Sequence, residues 1–473
     1  MSADPTRPTN VRYLIVAVTA MAALWMYIDR VCFSTLAPAM ADELRIGDDD
    51  MAFVLGAFFF TYALFQFPIG SLADRFGARV VLTVSIIAWS VCTAATALAW
   101  GAATLLAVRL CLGVCESGAY PAAVGLIRRW ASTEERGRLS GIVSFGGRIG
   151  GAIAPLLTAL VAVSLLGRTV PVPAANFRDM VYVFGFDPLA LVPDTAPRAG
   201  WRETFLIYGA LGVATAILFW FLVRDTPRAH RWSNEAEAAR VPPPPSAGES
   251  TLHIGKRLVA LLTSRNMWLF GGMQFFVNVG WVFVIANFPQ YLKHREVPAA
   301  DRGTMQTVTL LMGCVGMAMG GLFADYMYRR LGPRWGRSLP VGVMLLLCAM
   351  TYVVATQLPT AWGVAIALGM MAFCVDLAIP TMWAFAQDVG GRHAGASLGW
   401  GNMIGNFGAA CSPILLQFVR KLVIRETNDE ALSWNVAFFL CSGSFILAGV
   451  CALSLNALIP VVRTRPSTEQ SKP

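Results

Sequence analysis

Twelve runs of mostly apolar residues recur along this chain between residues 13 and 461, each near the ~20 residues that cross a bilayer as a helix. A backbone in lipid must satisfy its own N–H and C=O groups, so such runs are read as α-helices. Only 14% of the residues are charged and 56% are hydrophobic, where soluble domains carry about 25% charged residues. The expected fold class is all-α and membrane-spanning. After the sixth run, VPPPPS (241–246) interrupts any helix, and TLHIGKRLVALL follows, with Lys256 and Arg257 inside an apolar stretch. That reads as an interfacial helix in a linker and divides the chain into 1–223, 224–265 and 266–473.

The formal charge of +9 is explained by where it falls. Outside the spans, about twice as many Lys and Arg lie on the side of the two termini as on the other, which places both termini in the cytoplasm. No basic stretch is interleaved with aromatic residues, so a nucleic-acid partner is not expected. The ten cysteines all lie within the spans, which implies no disulfide framework. Cys111 and Cys115 share a helix face without a nearby histidine and read as packing residues, so neither metal nor cofactor is expected. Arg7 and Arg12 precede the first run as in a signal peptide. The run is long for that purpose and holds Asp29-Arg30, so it reads as a retained helix.

An ionised side chain at mid-bilayer costs about 2.5–3.5 kcal/mol even on a lenient scale, so each one within a span needs a reason. The first half holds five: Asp29, Arg30, Arg109, Glu116 and Arg148. Arg109 and Glu116 are seven residues apart and so point the same way. With both acids ionised the five sum to +1, and with both protonated to +3, so protonation would strengthen the pull on an anion. Alternatively, Asp29, Arg109 and Glu116 form fixed ion pairs that hold helices together. Tyr27, one turn before Arg30, is either a hydroxyl donor or a packing residue. Arg148 lies in FGGRIGGAIAP and is either a further substrate contact or a partner for Glu116 or Asp29. The second half offers one charge, Asp376, which binds a cation or is simply hydrated near a helix end. Its other candidates are neutral: Asn278, Trp281, Gln290, Trp383, Asn402 and Asn406.

GSLADRFGAR (70–79) is echoed by GLFADYMYRR (321–330), so G-x-x-x-D recurs at half the chain length, as in a transporter of two similar bundles. With twelve helices this loop resembles the major facilitator superfamily. YIDR, AFFFTYALFQFPIGSLADRFGAR, RLCLGVCESGAYPAA and RDTPR are together similar to its anion:cation symporter family, which includes bacterial sugar-acid/H⁺ symporters. The resemblance implies two pseudo-symmetric six-helix bundles and a transporter rather than an enzyme. It implies a monomer in the bacterial inner membrane that takes up a small organic anion with protons. An exchanger or facilitator without obligate protons is the alternative. It further implies that Arg30 binds the substrate carboxylate while Arg109 assists or positions Glu116, and that Asp29 and Glu116 handle protons. Asp74, Arg75 and Arg79, with Asp325 in the echo, would form a gate, Asp74 meeting a helix N-terminus of the other half. The outer loop 166–200, with its apolar MVYVFGF, is expected to cap the vestibule or to be a family-specific excursion.

Overall fold

A computed structural model gives the structure of the protein and describes residues 7–161, 200–241 and 254–461. The outer loop over 166–199 and residues 242–246 of VPPPPS lie outside these residues. Among the described residues, nine helices are long and apolar enough to cross a membrane. Two of them are double. Ala299–Gln357 breaks at Gly332, whose φ of 74° is left-handed backbone that glycine adopts at no steric cost. Residues 361–427 pass through a tight turn at Gly391–His393. A further helix, Arg136–Leu160, carries three arginines and several glycines that lower its hydropathy. The number of crossings is therefore the expected twelve.

In chain order these are α1 (Val11–Leu44), α2 (Asp48–Phe76), α3 (Ala78–Thr96), α4 (Ala102–Trp130), α5 (Arg136–Leu160) and α6 (Trp201–Leu222). The second set is α7 (Arg265–His294), α8 (299–331), α9 (333–357), α10 (Ala361–Gly390), α11 (Ala394–Thr427) and α12 (Glu430–Leu453). They form two six-helix bundles. Within the first, α5 lies against α1 because Gly146 and Gly150 leave room for the α1 carbonyls of Ala20 and Leu24. Between the bundles, α2 packs on α11, and α5 packs on α8 and α10.

Cross-bundle contacts gather in the half of these helices nearest the face that holds both termini. Gly70 meets Gly395, Gly141 meets Gly321, and the Gln387 amide donates to Ser140 at 2.8 Å. Before α7, a helix spans Ile254–Thr263 and carries Arg257. This arginine is buried and donates to the Ser71 carbonyl at 2.5 Å, tying the linker to the end of α2.

Candidate functional site

The centre of the site is set by the helical step of α1. Tyr27 and Arg30 are three residues apart and share one side of the helix. The Arg30 guanidinium lies 4.5 Å from the Tyr62 ring, 4.8 Å from Phe58 and 5.0 Å from Tyr27. Its NH2 donates to Glu116 Oε2 at 2.7 Å and its Nε to the same oxygen at 3.2 Å. Glu116 ends the first segment of α4 and is fully buried; its Oε1 has no hydrogen-bond partner. Asp29 is buried on another side of α1, with neither carboxylate oxygen hydrogen-bonded.

Between the bundles lies a cavity of about 220 Å³. Tyr27, Arg30 and Arg148 line it from the first bundle, together with Tyr62, Gln66, Tyr120 and Ser144. Arg148 reaches across to the second bundle, where it donates to Asp376 at 2.5 Å and lies over the Trp281 ring at 5.1 Å. The facing wall is neutral and rich in amides. Gln274 donates to Asn402 Oδ1 at 3.1 Å, while Asn278 and Asn406 each donate to a carbonyl one turn back in their own helix. The amide oxygens of Asn278 and Asn406 are thereby held in fixed orientations. Trp281 and Trp383 complete that wall, and just beyond Trp281 the helix α7 widens into a π-turn over Phe283–Asn287.

The face holding the termini closes beneath this cavity. Asp74 accepts from the backbone N–H groups of Gly395 at 3.0 Å and Ala396 at 2.8 Å, at the N-terminus of α11. The second copy of the motif repeats the contact, with Asp325 accepting from Arg138 N at 3.1 Å at the start of α5. Between them Asp388 takes Arg136 and Arg337, the latter through Nε at 2.8 Å. Arg75 and Arg79 do not cross between bundles. Arg75 is exposed beside Phe76, and Arg79 stacks on Trp220 at 3.7 Å and donates to its carbonyl.

The family model described as Major Facilitator Superfamily matches residues 19–413. The chain belongs to the major facilitator superfamily. It is an integral membrane transporter rather than an enzyme. Among its relatives is the probable sulfoacetate transporter SauU of Cupriavidus necator, 28% identical and aligned over 95% of each chain. The hexuronate transporter of Bacillus subtilis is 23% identical over 96% of each. The probable galactarate/D-glucarate transporter GarP of Escherichia coli is 25% identical over 95% of this chain and 96% of its own. The E. coli fucose:proton symporter FucP shares the superfamily fold, with a TM-score of 0.67, 12% identity, and coverage of 94% of this chain and 98% of that one.

Within this superfamily fold, Tyr27, Arg30, Arg148, Asn278, Trp281, Trp383, Asn402 and Asn406 do converge on one cavity. Four charged candidates stand outside its lining: Asp29, Arg109, Glu116 and Asp376. Arg109 makes no direct ion pair with Glu116, whose Oε2 is held by Arg30. It is buried instead against Phe33 at 4.2 Å and Phe58 at 4.5 Å. Arg148 pairs with Asp376 rather than with Glu116 or Asp29, and Asp376 is buried, not hydrated. Gln290 is exposed and bonds to its own helix. Sequence reasoning passed over Tyr62, Gln66 and Gln274. Each has a signal of helical spacing: Tyr62 and Gln66, and likewise Gln274 and Asn278, are polar pairs at i,i+4 in apolar runs.

Proposed function

We propose that this protein is a secondary active transporter that takes up a small organic anion, most simply a sugar acid, with protons by alternating access. It works as a monomer in the bacterial inner membrane with both termini in the cytoplasm. Units 1–223 and 266–473 rock about the cavity, joined by the linker 224–265. The observation that carries the reading is Arg30, which faces the cavity while its counter-ion Glu116 is fully buried behind it. Arginine's planar fork suits a carboxylate. An entering anion and the Glu116 carboxylate compete for it, and a proton on Glu116 leaves Arg30 to the anion. The names of the three sequence relatives above, each of an acid transporter, support the substrate class.

Asp29 is the second proton site, since a buried carboxylate without hydrogen bonds is costly when charged. Asn278, Asn402 and Asn406 receive substrate hydroxyls, Tyr27, Trp281 and Trp383 enclose the carbon chain, and Arg109 holds positive potential near Glu116. Asp74 and Asp325 close the cytoplasmic gate, with Arg75 and Arg79 shaping its loop.

The test is liposome transport of Glu116→Gln. This variant mimics the protonated acid, so it retains counterflow with substrate on both faces, while uptake driven by a pH gradient falls at least tenfold. Accumulation like that of the wild type would move the proton elsewhere. Wild-type counterflow without any pH-driven accumulation would instead make the protein an exchanger or a facilitator without obligate protons.

A further inference from the structure

The cavity wall repeats one arrangement twice. Arg30 presents a partly exposed guanidinium, 13% accessible, with Glu116 at 0% behind it. Arg148 presents another, 26% accessible, with Asp376 at 2% behind it. Neither acid reaches the lining, so among the described residues the lining holds two cations and no carboxylate. Tyr27 stands between them: its ring lies against the Arg30 guanidinium and packs beside Gly147 and Gly151, one on either side of Arg148 along α5.

One acidic head group engages one guanidinium fork. A second fork in the same small cavity, at 220 Å³ below the roughly 300–1,000 Å³ usual for ligand pockets, would leave a monoanion facing a second guanidinium that no group of the substrate engages, with Asp376 behind it. We propose that the substrate is a small dianion, with one acidic group on Arg30 and the other on Arg148, so that Arg148 selects for the second charge. This rests on the reading of the cavity as an anion site and narrows it. Because Asp376 belongs to the other bundle, the second head group also competes with a contact that spans the two halves. The amides of the facing wall take whatever hydroxyls lie between the two acidic ends.

The experiment measures binding to the purified full-length protein in detergent, with probes matched in size that differ by one charge: succinate against succinamate, and glucarate against gluconate. Wild type is expected to bind each dianion at least tenfold more tightly than its monoanion. Arg148→Gln alone strands the Asp376 charge, so the decisive variant is Arg148→Gln with Asp376→Asn, which removes both. It should lose the dianion preference, leaving each dianion and its monoanion within about threefold of each other. Asp376→Asn alone leaves Arg148 free of its competitor, and the preference should rise above that of wild type. A wild type without preference, or a preference that survives the double variant or falls in Asp376→Asn, overturns the second anchor while leaving Arg30 as a monoanion site. Failure of wild type to bind any of the four probes removes the anion site itself, and this inference with it.

Discussion

At the scale of single residues, the chemistry turns on which atoms of Arg30 are spent. Two of its nitrogens meet one oxygen of Glu116, so geometry as much as charge holds the pair. Arg30→Lys keeps the charge and loses the planar fork, and should weaken binding of a sugar-acid anion by at least tenfold in a thermal-shift titration. Arg30→Ala should abolish it; wild-type affinity in that variant would take Arg30 out of the site. The sequence made the charged residues visible because each stands out against an apolar run. It did not make their pairing visible. Arg109 and Glu116 share a helix face, as their spacing says, yet the partner that reaches Glu116 arrives from α1, and no spacing rule relates residues 30 and 116. The same holds for Arg148 and Asp376, which lie in different bundles.

At the scale of elements, helix existence was legible and helix contact only partly so. Close approach follows the glycines around Arg148, where α5 presses on α1 at Gly146 and Gly150. A side chain at Gly150 would drive into the Leu24 backbone. Gly150→Leu should therefore cost about 1–3 kcal/mol and lower the unfolding temperature in detergent, while the neighbouring Gly151→Ala, which meets only the edge of Tyr27 at 3.3 Å, should be far milder. Beyond α4, the short segment before α5 carries Glu135, which meets Arg138 and Arg240 at 3.0 Å and Arg12 at 3.7 Å. Burial disfavours its charge, but Arg12 and Arg240 outweigh that and hold its carboxyl below the usual glutamate range. A carboxyl lowered in the folded state stabilises at neutral pH and loses that contribution as pH falls below about 4.3 and through the folded value. Glu135→Gln should thus unfold more easily at pH 7 and differ progressively less from wild type as pH falls below 4, as followed by thermal unfolding across pH. A constant difference at all pH values would assign Glu135 a purely steric role. This cluster was illegible in the sequence because its members come from the start of α1, the α4–α5 turn, the first turn of α5 and the linker.

At the scale of the whole molecule, the two-fold repeat of G-x-x-x-D announced two bundles, and both copies lie where the bundles meet. Asp74→Asn keeps the shape but gives up charge-assisted bonds to a helix N-terminus, which are roughly twice as strong as neutral ones. Transport turnover should fall several-fold while equilibrium substrate affinity stays within a few-fold. A hundredfold change in affinity with normal turnover would make the loop part of the binding site. Both aspartates accept from main-chain N–H groups: Gly395 and Ala396 for one, Arg138 for the other. The donating side of each contact is therefore written in the backbone, where a substitution removes the donor only if the new residue is proline and otherwise acts through the space its side chain needs. At Gly395 that space is missing: a Cβ there would lie 2.9 Å from Asp74 Oδ1 and 2.8 Å from the Gly70 carbonyl, so a scan for variants that open this face should recover lesions at 74, 325 and 395.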